Sequence, residues 1–146
     1  MFVCHGNICR SPMAEFVFKD IVEKAGRSSD FVIASAGTDT YGSNPPHNGT
    51  RSKLKAVGVP IYDRYSTRLV KADYSKYDYF IGMDRQNVNS MYRLFDQDPK
   101  YKVFSLLEFA DISRSIDDPW YTGDYDKTYD DVLVGCKALY KKLVSG

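Results

Sequence analysis

Histidine and cysteine are scarce in this chain, with two of the first and three of the second among 146 residues. Three thiols at no regular spacing give no disulfide framework of the kind that staples small secreted domains, and His5 and His47 alone offer no zinc-ligand pattern. Excess charge is also missing: 20 Lys and Arg stand against 19 Asp and Glu, a formal net charge of +1. That balance gives nucleic acid no electrostatic footprint, and the basic stretch from Lys137 to Lys142 reads as the solvated side of a final helix. No apolar run approaches the length of a membrane span, and no signal-peptide pattern precedes the first residues of interest. Linkers, repeats and low-complexity tracts are absent. These absences leave one domain over residues 1–146, with 43% hydrophobic residues to build a core. Free thiols place it in a reducing cytoplasm. No metal, cofactor, membrane or nucleic-acid partner is expected.

Apolar runs alternate with helical patterns along the chain. Strands are expected at 2–4, 31–35, 77–83 and 102–106, and helices near 11–26, 47–57, 84–94 and 126–144. The alternation predicts an α/β fold: a doubly wound, four-stranded parallel sheet with helices on both faces. In the last helix Val132, Cys136, Leu139, Tyr140 and Leu143 step by threes and fours, so Cys136 belongs to an apolar face.

The chemistry concentrates near the start, in Val3-Cys4-His5-Gly6-Asn7-Ile8-Cys9-Arg10-Ser11-Pro12. A short strand feeds a loop, and Ser11-Pro12 reads as an N-cap followed by the first helical residue. Gly6 and Asn7 are the residue types that most easily take positive φ, which lets successive N–H groups converge on an anion. Residues 4–11 (Cys4, His5, Gly6, Asn7, Ile8, Cys9, Arg10 and Ser11) thus form a candidate phosphate cradle at a helix N-terminus. Arg10 offers a planar fork for two phosphate oxygens, which a lysine could not supply. The same field favours the thiolate form of Cys4, the candidate nucleophile, and the Ser11 hydroxyl is placed to steady that sulfur when it leaves. Cys9, on the same loop, can close a disulfide with an oxidised Cys4 and spare it irreversible oxidation; it is equally suited to filling space behind the loop.

The loop resembles the V-C-x-G-N-x-C-R-S-P signature of the low-molecular-weight protein tyrosine phosphatases. Ser35-Ala36-Gly37-Thr38, Met83-Asp84 with Asn87, and Asp118-Pro119-Trp120-Tyr121 resemble further family segments in the family's order. The resemblance implies a phosphotyrosine monoester hydrolase working through a phosphocysteine intermediate. Its general acid is Asp118 rather than Asp117, because the role falls on the residue before proline; a poor leaving group makes such an acid worth about 10²–10⁴ in rate. It also implies a substrate cleft walled by Tyr41, Trp120 and Tyr121, with phosphotyrosine proteins or peptides as substrates and inorganic phosphate or related oxyanions as inhibitors. Ile8 resembles the tyrosine-specific members, whereas relatives acting on phosphoarginine carry threonine there. A thiol-dependent arsenate reductase on the same fold needs further closely spaced cysteines, and only Cys136 lies downstream.

Some positions depart from the pattern. His5 occupies a site that is often aliphatic or hydroxylated and is expected to tune anion binding modestly. Tyr65, three residues before Arg68, stands where many relatives carry a loop-supporting histidine, leaving Asn7 and Ser35 to hold the loop. Asp84 is either a helix cap or a partner of the site. Only three residues precede Cys4, fewer than relatives usually have, so either the start is clipped or the first strand is expected to be thin.

Overall fold

In the computed structural model, which describes residues 1–145, four three-residue strands form one parallel sheet. They are β1 (Phe2–Cys4), β2 (Ser35–Gly37), β3 (Phe80–Gly82) and β4 (Val103–Ser105), in the order β2-β1-β3-β4. The helices are α1 (Arg10–Lys24), α2 (Asn48–Ala56), α3 (Arg85–Leu94), α4 (Pro119–Thr122) and α5 (Tyr125–Ser145).

Strand residues alternate between faces, and the packing divides accordingly. Phe2, Cys4 and Ile81 join Met13, Phe16 and Val17 of α1 and Val132, Cys136 and Leu139 of α5 in one buried cluster. Val3 and Phe80 face the other way, against Met91 of α3 and the neighbouring Phe95 and Leu69. Helices therefore cover both faces, as the alternation of apolar runs implied. Burying a Phe16- or Met13-sized side chain contributes roughly 1.5–3 kcal/mol, and both are fully buried. Nearly all of α1 from Arg10 to Phe18 is buried, so this helix is an internal element and its N-terminus is fixed rather than frayed.

The strand order puts the reversal of winding between β1 and β3, where open parallel sheets bind ligands beyond the carboxyl ends of the strands. Cys4 ends β1 at that point.

Helix boundaries fall within one or two residues of those expected; β3 pairs over only Phe80–Gly82 of the expected 77–83, and β2 is displaced. Pairing starts at Ser35, opposite Phe2, whereas the apolar alternation pointed to 31–35. Phe31 and Ile33 do pack on the core, yet without a ladder. Their alternation reports burial and not pairing. Ser11 is a second correction: helix α1 starts at Arg10, with Cys9 as its N-cap and no side-chain cap bond. Pro12 is then the third helical residue, where its missing N–H is still unneeded, and the Ser11 hydroxyl is released for the site. The four-residue α4 and the 3-10 turns at Ser28–Asp30, Lys71–Ser75 and Leu106–Ala110 are too short for periodicity to reveal.

Candidate active site

The loop from Cys4 to Arg10 is best understood by asking where its carbonyls go. Cys4 O accepts from Thr38 N and His5 O from Asp39 N, both 2.9 Å; Ile8 O accepts from His47 N at 2.7 Å and Cys9 O from Met13 N at 3.2 Å. Asn7 O accepts from the Arg64 guanidinium at 3.2 Å, and Thr50 Oγ1 also donates to Cys9 O, at 3.2 Å. Partners outside the loop thus draw its carbonyls outward, and because a trans peptide sets N–H opposite C=O, the amides turn inward around Cys4. Asn7 N, of the intervening Gly6–Asn7 peptide, donates to Cys4 Sγ at 3.3 Å. Asn7 has φ of 57°, as its residue type allows; Gly6 is not in the left-handed region. Gly37 is needed for another reason, since a Cβ there would lie 2.7 Å from His5 O.

A chain of directed hydrogen bonds holds this arrangement. Asn7 Oδ1 accepts from Thr67 N at 3.0 Å and from Arg64, both obligate donors, which fixes the amide's orientation. Its Nδ2 therefore donates to Ser11 Oγ at 2.7 Å and to Ser35 Oγ at 3.0 Å. The Ser35 hydroxyl donates to Glu15 Oε1. Ser11 Oγ accepts from Asn7 through one lone pair and keeps its own proton available to Cys4 Sγ, 2.9 Å away. Asn7, Ser11, Ser35 and Glu15 are all buried. Cys4 Sγ thus has the Ser11 hydroxyl and the Asn7 N–H beside it together.

Arg10 is 3% exposed and carries its charge inside the protein. Burial works against that charge, but Cys4, Asp84 and Asp118 outweigh it and hold the guanidinium above its usual range. Its Nη1 donates to Asp84 Oδ2 at 2.7 Å and to Ile116 O at 2.9 Å, while Nη2 lies 3.4 Å from Asp118 Oδ2. The first nitrogen is anchored. The second faces the cleft. Asp84 has both roles open to it in the sequence, since its Oδ1 also caps α3 by accepting from Asn87 N at 2.8 Å.

Asp118 reaches this cleft as the N-cap of α4, accepting from Trp120 N at 3.0 Å through Oδ1. Asp117 turns away to Lys127, 2.8 Å distant, whose charge holds its carboxyl below the usual range. The cleft, about 290 Å³, is lined by Cys4, His5, Gly6, Ile8, Cys9, Arg10, Tyr41, Asp118, Trp120 and Tyr121. Cys4, Arg10, Asp118 and three aromatic side chains are brought together. Asn7, Ser11 and Ser35 stand behind that lining, as supports.

Of the remaining expectations, His5 is exposed, with Nε2 3.8 Å from Asp39 Oδ2. Tyr65 is exposed and supports nothing in the loop; the support comes instead from Arg64, one residue earlier. Cys9 is buried, its sulfur 3.7 Å from the Tyr125 hydroxyl. Burial pushes the Cys9 thiol up to about 11. Cys136 is fully buried, its thiol 3.7 Å from Ala14 O. Sequence reading missed Arg64, Glu15, Thr67, Ile116 and the His47–Tyr125 pair. Only Glu15 left a signal, a carboxylate four residues after Ser11 set among Met13, Ala14, Phe16 and Val17.

Comparison with known proteins agrees with this geometry. Residues 1–145 match the family described as low molecular weight phosphotyrosine protein phosphatase. The chain is similar to the low molecular weight protein-tyrosine-phosphatase YfkJ of Bacillus subtilis, 34% identical over 95% of this chain and 91% of that one. The crystal structure of YfkJ superposes with a TM-score of 0.95 over 99% of this chain and 92% of the other. The low molecular weight protein tyrosine phosphatase of Streptococcus pyogenes is 40% identical, with a TM-score of 0.84 over 97% and 90%. An arginine phosphatase of Drosophila has a TM-score of 0.88 at 24% identity over 97% of this chain and 95% of that one, a likeness of fold. A family match over residues 1–145, relatives similar along nearly the whole chain and a superposition of this closeness leave one assignment: the chain belongs to the low molecular weight protein tyrosine phosphatase family and is a hydrolase of that type.

Proposed function

We propose that this phosphatase cleaves phosphotyrosine monoesters through a phosphocysteine intermediate. The observation carrying the proposal is that Cys4, Arg10 and Asp118 line one cleft whose rim is Tyr41, Trp120 and Tyr121. The ester dianion enters with its equatorial oxygens on the inward amides and on Arg10 Nη2, displacing the Asp118 contact with that nitrogen. Those donors are fixed before substrate arrives, so stabilising the trigonal-bipyramidal transition state costs little reorganisation. The Cys4 thiolate attacks phosphorus in line. The P–O bond breaks, and protonated Asp118 gives its proton to the tyrosyl oxygen. Asp118, now ionised, takes a proton from water as that water attacks phosphorus, and Cys4 departs as a thiolate steadied by Ser11.

The aromatic rim supports a phosphoaryl substrate, because a ring at the depth set by Cys4 meets Trp120 and the two tyrosines, whereas a phosphoserine side chain is too short to do so. Ile8, part of the lining, keeps that wall apolar. Cys136, buried within the core, has no access to a downstream thiol relay of the arsenate-reductase kind. Cys9 captures Cys4 after oxidation and so protects the nucleophile. Free thiols suit a cytoplasmic setting, and among the described residues no helix is long and apolar enough to cross a membrane.

The test is hydrolysis of matched phosphotyrosine, phosphoserine and phosphoarginine peptides by the wild type and Cys4→Ser. Phosphotyrosine should be preferred and Cys4→Ser inactive. Preference for phosphoarginine would transfer the enzyme to that substrate, and retained activity in Cys4→Ser would remove the phosphocysteine.

A further inference from the structure

Behind the phosphate loop, and unused by the hydrolytic steps, lie three groups in a row. Cys9 Sγ is 3.7 Å from the Tyr125 hydroxyl, and that hydroxyl is 2.8 Å from His47 Nδ1. The direction of the row is fixed by a fourth group. Gly49 N donates to His47 Nδ1 at 3.2 Å, so this nitrogen is an acceptor and carries no proton. The Tyr125 O–H must then point to His47, leaving its oxygen to accept from the Cys9 thiol. The row reads S–H to O–H to N.

The tyrosine ring is held in place. It lies parallel to the His47 ring, 2° between planes, and directly over Gly49, where a Cβ would come within 2.3 Å of it. Only glycine permits that approach, and the contact keeps the hydroxyl aimed at the loop. His47 is itself anchored, its N–H donating to Ile8 O at 2.7 Å.

We propose that Tyr125 and His47 form a proton relay that activates Cys9 to trap oxidised Cys4 as a disulfide. This rests on the reading that Cys9 is the capturing thiol. A peroxide first oxidises the Cys4 thiolate: sulfur attacks the terminal peroxide oxygen, the O–O bond breaks, and Cys4 becomes a sulfenic acid while the other oxygen leaves as hydroxide or alkoxide and takes a proton from solvent. Cys9 sulfur then attacks Cys4 sulfur. The S–S bond forms, the S–O bond breaks, and hydroxide departs. The Cys9 proton passes to the Tyr125 oxygen as the Tyr125 proton passes to His47 Nδ1. That proton finally neutralises the hydroxide through solvent, so one water is released overall. Cys9 loses one electron and Cys4 gains one.

The need for such a relay follows from burial. A thiol held at about 11 is almost entirely protonated at neutral pH, with roughly one part in 10⁴ as the nucleophilic thiolate. Without a base on hand, a second peroxide would carry Cys4 to the sulfinic acid before Cys9 could act.

The experiment exposes wild type, Tyr125→Phe, His47→Asn and Cys9→Ser to hydrogen peroxide, then to dithiothreitol. Each is scored against its own starting activity, and disulfide and sulfinic forms are counted by intact mass. Tyr125→Phe keeps the ring over Gly49 and removes only the hydroxyl; His47→Asn keeps an N-cap acceptor without a basic nitrogen. Both should form the disulfide at least tenfold more slowly than the wild type and recover as poorly as Cys9→Ser. Disulfide formation at the wild-type rate in Tyr125→Phe and His47→Asn, with Cys9→Ser still failing to recover, overturns the relay alone. Full recovery of Cys9→Ser overturns the capturing role of Cys9 and the relay with it.

Discussion

The two sides of the cleft are built to different standards of rigidity. On one side Asn7, Arg10, Ser11 and Ser35 are buried at 5% exposure or less, and no buried side-chain nitrogen or oxygen among the described residues lacks a hydrogen-bond partner. On the other, Trp120 and Tyr121 are 59% and 83% exposed, and Asp118 is held by one amide and a 3.4 Å contact to Arg10. The difference matches two tasks. Stabilising charge in a transition state needs donors that do not move. Delivering and then retrieving a proton, while a peptide enters and leaves, needs a group free to shift.

Substitutions on each side should separate these tasks, the largest effect coming from the rigid one. Asn7→Ala removes the amide that orients Ser11 and Ser35, leaves Thr67 N without its acceptor and takes one acceptor from Arg64. Unsatisfied buried groups of this kind cost about 1–3 kcal/mol each, so the melting temperature should fall visibly in calorimetry. Turnover should drop about 10²-fold as the loop loses its shape. Trp120→Ala, across the cleft, should leave the melting temperature where it is and raise KM for aryl phosphates severalfold with a smaller change in kcat. Asp117→Asn should change turnover least, within about twofold, since its carboxylate serves only Lys127. Lys127 lowers the folded-state value of Asp117, so the small stability it adds is present above the ordinary carboxylate range and lost as pH falls through the lowered one. Acid-unfolding curves of the wild type and Asp117→Asn should therefore differ only at their low-pH end.

The same division explains what could be read from the chain. Cys4, Arg10 and Ser11 were legible because strand, loop and helix start follow one another locally, and Asp118 because Pro119 marks it. The apolar steps of α1 and α5 were legible because one face of each meets one core. Arg64 and Thr67 were not, because they come from a segment without regular structure, brought to Asn7 by folding alone. Ile116 acts through its carbonyl, which no side-chain pattern advertises. The misplaced β2 has a related cause: Phe31 and Ile33 alternate because they are buried, and burial and pairing coincide only where a neighbouring strand is in register.

The central claim is that the phosphate loop binds and attacks while Asp118 expels the leaving oxygen. A series of aryl phosphates with graded leaving groups tests it most directly, comparing kcat/KM for the wild type, Asn7→Ala and Asp118→Asn. Asn7→Ala should lower the whole series without changing its slope. Asp118→Asn should steepen it, losing about 10²–10⁴ for the poorest leaving groups and little for the best. A line for Asp118→Asn that runs parallel to the wild type would contradict the account.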